Sequence, residues 1–600
     1  MRNGSMKRLT ALTVAVVCLA FTLAAWTGFS KSGDAGEIIQ GGTSFVPGEI
    51  LVQLKPGYRL ETVLSALPIQ LFAEEPGKPA PRGLSRLKLP PGETVMNAVS
   101  LLKGKEGVLF AQPNYIYQAA IVPNDPRYPS QWALPKIGAP TAWDLTTGSP
   151  DVLVAVLDTG VDLSHPDLAG NLWTNPGEIP GDGLDNDGNG YVDDVHGWNS
   201  SANSSDVQDD SGHGTHVAGI IGAVGNNGTG VAGLNWNIGI IAVKANKGDS
   251  FTTLDLARGT DYVTALKTGK HLPIVAINAS LGGPVSEDPL LNQAIKNTGE
   301  AGILFVAAAG NNNSDNDRTP FYPASLFRPN VLSVAATDEN DALAGFGANS
   351  GSNYGRRTVH LGAPGNKILS TYFISTSADN PSSYDTMSGT SMAAPHVTGI
   401  LALLKAQDPS RDWIALKNRV LSTGTPLSGL SSKTITGRRL LAAQDSALGA
   451  LTGSGQVVKS RLRPIPDSLD LKQGTSLDLA ALNISGEESL GDLPVSITRN
   501  GAPYGTLTLK DDGTGFDQAA GDGIASATWT VPSSANSTYV FAFPDGNLTV
   551  TVDLAEEPPA ASGGGGGGGC NAAGPGPFFL LCIPVALLAL KRKTPAPPEG

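Results

Sequence analysis

Through the middle of the chain, short unbroken apolar runs alternate with longer stretches of small and apolar residues. The runs at 152–157 (VLVAVL), 274–279 (IVAINA) and 303–309 (ILFVAAA) are apolar almost throughout. Strands covered on both faces read this way, because helices lie against each side of a parallel sheet. The small-residue stretch that follows His213 and the one at 391–407 read as helices. Strands alternating with helices predict an α/β fold, a mainly parallel sheet with flanking helices whose functional groups gather at the strands' carboxyl ends.

The flanks carry other patterns. Residues 45–119 predict a compact α+β unit, with a strand at 49–54, a helix at 94–102 and a strand at 108–115. From 456 to 554, Thr, Val and Leu alternate between turn signals, as in VSIT at 495–498 and YGTLTL at 504–509. That pattern predicts a small β-sandwich. The central domain is bounded at 124–445. At the start, Arg2, Lys7 and Arg8 precede an apolar stretch at 9–26, the layout of a secretory signal peptide at 1–29 that a signal peptidase removes. An uncleaved membrane anchor is the alternative. At the other end, a Pro/Gly-rich linker at 555–569 closes on seven glycines and leads to a tail at 570–593. The tail holds Cys570, an apolar stretch at 577–590 and Lys591-Arg592-Lys593. The stretch is short for a membrane span of about 20 residues.

At 600 residues, with 40% hydrophobic and 16% charged, the chain is an ordinary globular protein too long for one domain. A formal net charge of −13 argues against nucleic acid as a partner. The only cysteines are Cys18, Cys570 and Cys582, so the central domain is held by packing rather than disulfides.

The chemistry lies in three segments. Ser388-Gly389-Thr390-Ser391 runs into Met392-Ala393-Ala394-Pro395-His396, which puts Ser391 at the start of a helix with Pro395 in its first turn. Unpaired N–H groups there can hold negative charge developing on a carbonyl oxygen. The 152–157 run ends in Asp158-Thr159-Gly160, and glycines flank His213 in Gly212-His213-Gly214. On its segment alone, Asp158 also reads as a strand-terminal cap of the next turn.

Asp-Thr-Gly at 158, Gly-His-Gly-Thr-His-Val-Ala-Gly at 212 and Gly-Thr-Ser-Met-Ala-Ala-Pro-His at 389 together closely resemble the subtilisin-like serine proteases, or subtilases, and the Asp, His, Ser order agrees. The resemblance implies a subtilisin-like fold and a serine endopeptidase. Ser391 would be the nucleophile, His213 the base, Asp158 its orienting carboxylate and Asn311, after Gly310, the oxyanion donor. It also implies a substrate groove walled by Ser280, Leu281 and Gly282 on one side and by Ala308, Ala309 and Gly310 on the other, with residues 321–324 at its base. Small walls predict a roomy apolar pocket. Residues 45–119 resemble a subtilase propeptide, an intramolecular inhibitor cut away between 117 and 124. The tail resembles bacterial Gly-Gly/Synerg sorting signals, cut near the Gly/Cys junction by a rhombosortase-like enzyme to leave Cys570 as the attachment point. A plain membrane anchor is the alternative.

Residues 182–194 alternate oxygen-bearing side chains with glycines, as an EF-hand loop opens. That spacing predicts structural Ca²⁺ held by Asp185, Asp187, Asn189, the Tyr191 carbonyl and Asp194; a solvated acidic turn is the alternative. The family resemblance adds a second Ca²⁺ site at Asp125, Asp167 and Asn227. The expected protein is therefore a secreted, calcium-stabilised endopeptidase made as a zymogen and sorted to a bacterial cell surface or outer membrane. A catalytically silent scaffold that binds a surface partner is the reading from a different class.

Overall fold

The computed structural model describes residues 38–40, 43–73, 84–116, 121–248, 250–373, 383–443, 455–532 and 536–553. The leader, the linker at 555–569, Cys570 and the tail lie outside the described residues. Among the described residues, no helix is long and apolar enough to cross a membrane.

The central sheet has nine strands, in the order Thr425–Pro426, Arg438–Arg439, Leu361–Pro364, Val331–Thr337, Leu304–Ala308, Ile274–Ala279, Gly148–Asp158, Asn237–Lys244 and Gly197–Asn199. Neighbours are parallel except for the outermost pair, Thr425–Pro426 with Arg438–Arg439. The unbroken apolar runs have the expected cause. In Gly148–Asp158, Val152, Val154 and Val156 join a core with the helices His213–Gly222 and Thr390–Gln407. Leu153, Ala155 and Leu157 join a second core with Thr253–Lys270 and Pro289–Glu300. After Gly148–Asp158 the chain adds Asn237–Lys244 on one side, then crosses back to place Ile274–Ala279 on the other. Such a reversal opens a crevice at the strands' carboxyl ends, where ligands bind in open α/β sheets.

The helix Thr390–Gln407 is buried continuously from Met392 to Leu404, as a helix apolar on every side must be. Its start corrects one sequence expectation. Pro395 is the sixth helical residue, beyond the first turn, so its missing N–H falls inside the hydrogen-bond ladder.

The N-terminal unit is an antiparallel sheet in which Thr43–Leu54 pairs with both Leu84–Lys88 and Val108–Tyr115. The helix Val95–Leu102 packs on it, with the Thr94 side chain capping the Asn97 N–H. Residues 455–553 form two packed sheets, as their alternation predicts. One centres on Ser476–Ser485, the other runs Ser468–Lys472, Gly546–Asp553, Ser537–Phe543, Leu493–Arg499, Ala502–Leu509.

The first of these sheets is covered on both faces. Leu477, Leu479 and Ala481 face the sandwich interior, whereas Ala480, Leu482 and Ile484 belong to the central domain's own core. Ion pairs frame that junction: Lys417 lies 3.3 Å from the buried Asp522, and Arg357 contacts Asp545. Phe327 stacks on Phe516 with ring centroids 5.1 Å apart.

Candidate active site

Three strand ends and two helix starts converge on the crevice. Asp158 closes its strand, fully buried, and its Oδ1 accepts from the Thr159 N–H at 2.8 Å and from His213 Nδ1 at 2.7 Å. His213 opens the helix His213–Gly222. The glycines beside it have separate causes. Gly212 has φ +90°, a left-handed conformation that glycine adopts without strain, and a Cβ on Gly214 would stand 2.1 Å from the Gly160 carbonyl oxygen. Only glycine lets this helix lie against the Asp158 strand.

Sequence reading missed Asp209. It is buried and caps the same helix, accepting from the N–H groups of Ser211, Gly212 and Thr215 and from the hydroxyls of Thr159 and Thr215. An aspartate just before a helix start was the available signal. Burial pulls the His213 pKa down, but the charge and hydrogen bond of Asp158, with the charge of Asp209, outweigh it and raise the value above 6.5.

Ser391 is the second residue of its helix. Its hydroxyl donates to the Ser280 carbonyl oxygen at 3.1 Å. Asn311 follows the strand Leu304–Ala308, and its Oδ1 accepts from the Thr390 N–H at 2.8 Å and the Thr390 hydroxyl at 2.9 Å. Those bonds fix the amide so that Nδ2 is the free donor end. A Cβ on Gly389 would stand 3.3 Å from Asn311 Nδ2 and 3.6 Å from Ser391 N, so both donors border one point beside the nucleophile.

A cleft of about 380 Å³ runs past these groups, lined by His213, Ser391, Asn311, Ser280, Leu281, Gly282, Ala308 and Gly310 among others. Ala309 is not part of the wall. Successive strand residues point to opposite sides, and Ala309 packs fully buried with Ala335 and Val359. The base is also tighter than small walls suggest. The Phe321 ring stands 2.6 Å from where a Gly282 Cβ would be and 2.9 Å from where a Gly310 Cβ would be, so it borders both walls at the base of the cleft.

The acidic loop gathers a different set from the EF-hand register. Carboxylate oxygens of Glu178, Asp187 and Asp194 lie within 4.8 Å of one another. Asp185 is turned to its own backbone, accepting from Gly188, Asn189 and Gly190, and these bonds, Gly190 foremost, lower its pKa. Asn189 Nδ2 donates to Asp194 at 3.0 Å, and the Tyr191 ring packs edge-on against Trp198 and Tyr262. Burial raises the Asp194 carboxyl, although Tyr262, Asn175 and Asn189 donate to it. Lys270, 3.3 Å from Asp187, brings one positive charge to the cluster. Three carboxylates this close, one fully buried, form an oxygen donor set that suits a hard divalent cation.

At the second expected site, Asp125 accepts from the N–H groups of Asn226 and Asn227. Asp167 accepts from Asn227 Nδ2 at 2.8 Å and from the Val231 N–H at 2.9 Å. The three residues meet, tied by their own hydrogen bonds.

A model of the subtilase family matches residues 149–445, and a model of the fervidolysin N-terminal prodomain matches 34–114. The thermophilic serine proteinase of Bacillus sp. (strain AK1) is 36% identical over 393 residues, 64% of this chain and 84% of that protein. The chain belongs to the subtilase family. Thermitase of Thermoactinomyces vulgaris is 39% identical over 310 residues, 50% of this subtilase and 94% of that protein. A solved structure of proteases from Pseudoalteromonas arctica shares 30% identity, covering 55% of this chain and 99% of that one, with a TM-score of 0.45. The protein is a serine-type endopeptidase of the subtilase clan with an N-terminal prodomain.

Three other histidines are held neutral, His216 and His396 buried and His360 half-buried. Burial lowers His216 to about 4, His396 to about 4 and His360 to about 3. Each protonates more readily in the unfolded chain, so its stabilising effect is complete above pH 6.5 and declines as pH falls toward its folded value. The raised pKa of His213 acts only above 6.5 and leaves that window untouched. Together the three set a slope of about 4 kcal/mol per pH unit at its steepest. Thermal melts should show Tm dropping steeply between pH 6.5 and pH 5; a level Tm across that range contradicts this assignment.

Proposed function

We propose that this subtilase is a secreted, calcium-stabilised endopeptidase, made as a zymogen, that cleaves peptide bonds through Ser391, His213, Asp158 and Asn311. The observation that carries the reading is the 2.7 Å contact between His213 Nδ1 and the buried Asp158, in a cleft that also holds Ser391 at a helix start. An extended peptide lies along Ser280, Leu281 and Gly282 as an added strand. The side chain before the cut sits between Leu281–Gly282 and Ala308–Gly310, and Phe321 at the base favours an apolar group.

His213 Nε2 takes the hydroxyl proton as Ser391 Oγ bonds to the scissile carbonyl carbon. The resulting oxyanion accepts from Asn311 Nδ2 and the Ser391 N–H. Asp158 stabilises the imidazolium. His213 then hands the proton to the leaving amine as the C–N bond breaks, and a water deprotonated by His213 releases the acyl group. Asn311→Ala should lower kcat by about 10²–10³ with KM nearly constant, because the donor acts on charge present only in the transition state. Steady-state kinetics on a peptide anilide measures this, and an unchanged kcat would remove Asn311 from the role.

Glu178, Asp187 and Asp194 would hold Ca²⁺, with Asn189 and Asp185 supporting the loop; the Tyr191 carbonyl belongs to the same turn. Asp125, Asp167 and Asn227 make the second site. Bound Ca²⁺ supplies structural charge balance to the folded state only. Removing it with EDTA should lower Tm by roughly 10 °C. The same Tm with EDTA and with excess Ca²⁺ would argue that no calcium is held.

The prodomain acts as the chain's own inhibitor until cut. The basic and apolar leader supports export with removal by a signal peptidase. The glycine run before Cys570 supports sorting to the cell surface or outer membrane by a rhombosortase-like enzyme.

A further inference from the structure

A proline inside a helix has no N–H to give, so the carbonyl four residues earlier loses its partner. In Thr390–Gln407 that proline is Pro395, and the carbonyl it leaves is that of Ser391. The Ser280 hydroxyl donates to this oxygen at 2.7 Å. Ser280 Oγ accepts in turn from Asn278 Nδ2 at 2.9 Å, and Asn278 Oδ1 accepts from the Thr398 hydroxyl at 2.9 Å. Thr398 lies on the same helix, just past Pro395. Asn278 and Thr398 are fully buried, so water cannot replace a missing link there, whereas Ser280 is 4% exposed and borders the cleft. The bonds leave the helix beside the nucleophile, cross to the strand Ile274–Ala279 and return beyond the proline, bracing both sides of the gap in the ladder.

We propose that Thr398, Asn278 and the Ser280 hydroxyl are a positioning relay that supplies the donor Pro395 lacks and thereby sets where Ser391 Oγ stands against Asn311. The inference rests on Ser391 being the nucleophile. The relay residues take no proton in the reaction. They fix the peptide unit that carries the reacting oxygen, and small displacements of such a group have large rate effects.

The test is a set of variants assayed at 25 °C on a peptide anilide, with active sites counted by a fluorophosphonate. That count separates the two readings, since it reports nucleophilic Ser391 whether or not the relay matters. Thr398→Val should lower kcat per active site about tenfold with KM within about twofold, and Thr398→Ser should restore kcat. Ser280→Ala should lower kcat similarly. Adding Pro395→Ala returns an N–H to the Ser391 carbonyl, so the Ser280→Ala, Pro395→Ala double variant should recover most of the loss. If the two losses instead multiply, or if Thr398→Val keeps wild-type kcat while only Tm falls, the relay does not position Ser391. Should Ser280→Ala not fold, Thr398→Val combined with Pro395→Ala is read by the same criterion.

Discussion

The Ser391→Ala protein should hydrolyse casein about 10⁶-fold more slowly than the wild type and keep its prodomain. Removing the nucleophile of a serine protease has an effect of that size because its partners cannot act without it. The hydroxyl is held by the Ser280 carbonyl at 3.1 Å in a cleft shared with His213, and Ala removes only that oxygen. Helix burial from Met392 onward is unaffected, so Tm should stay near the wild-type value. Prodomain loss is self-cleavage in this account, so intact mass is the second readout. Wild type purified with Ca²⁺ should lose its prodomain by a cut between 117 and 124, and the variant should not. A variant that processes normally in pure form would mean that the prodomain is removed by other means.

The next largest effect belongs to Asp158→Asn, at about 10⁴ in kcat. Asp158 Oδ1 receives His213 Nδ1–H at 2.7 Å, and its Oδ2 has no hydrogen-bond partner among the described residues. An amide of the same shape can turn its NH₂ to His213, favouring the tautomer that presents a proton rather than a lone pair to Ser391. The pH profile reports the same interaction. With Asp158 intact, the His213 pKa lies above 6.5, so activity should rise with pH through a midpoint above that value as the imidazole becomes neutral. Without the carboxylate, burial acts against the charged ring and the remaining activity should have its midpoint at lower pH. A midpoint unmoved by the substitution would show that Asp158 does not govern this histidine.

The catalytic segments were legible because glycine, proline and polar residues stand out against apolar runs. The 152–157 run is unbroken because both faces are covered, and the same logic applies to LAALNI at 479–484. The sequence there predicts only a small sandwich; the structure shows that the sheet's second face packs on the central domain's core. Other features depend on three-dimensional closure. Glu178 joins Asp187 and Asp194 because the loop folds back on itself, while Asp185 is consumed by three backbone N–H groups. Ala309 was expected on the wall, but strand alternation turns it inward. Pro395 was expected in a first turn, but the helix already starts at Thr390, five residues earlier, so its missing N–H leaves the Ser391 carbonyl to Ser280.

The junction between sandwich and central domain places charge beside apolar contact. Arg357 and Arg461 meet Asp545 and Asp467, and Lys417 meets Asp522. Lys417–Asp522 is buried on both sides, so removing one partner leaves the other uncompensated, which is costlier than losing an exposed pair; Asp467 stays largely exposed to solvent. The C-terminal sheets are therefore structural to the enzyme's core as well as neighbours of it.

The most direct test of the central claim is covalent. The mature wild-type enzyme is treated with a fluorophosphonate and the modified peptide is mapped by mass spectrometry. The account predicts one adduct, on Ser391 Oγ with loss of fluoride, formed in step with the loss of casein hydrolysis and absent in Ser391→Ala. Hydrolysis lost through modification of another residue, or persisting while Ser391 is fully modified, would contradict it.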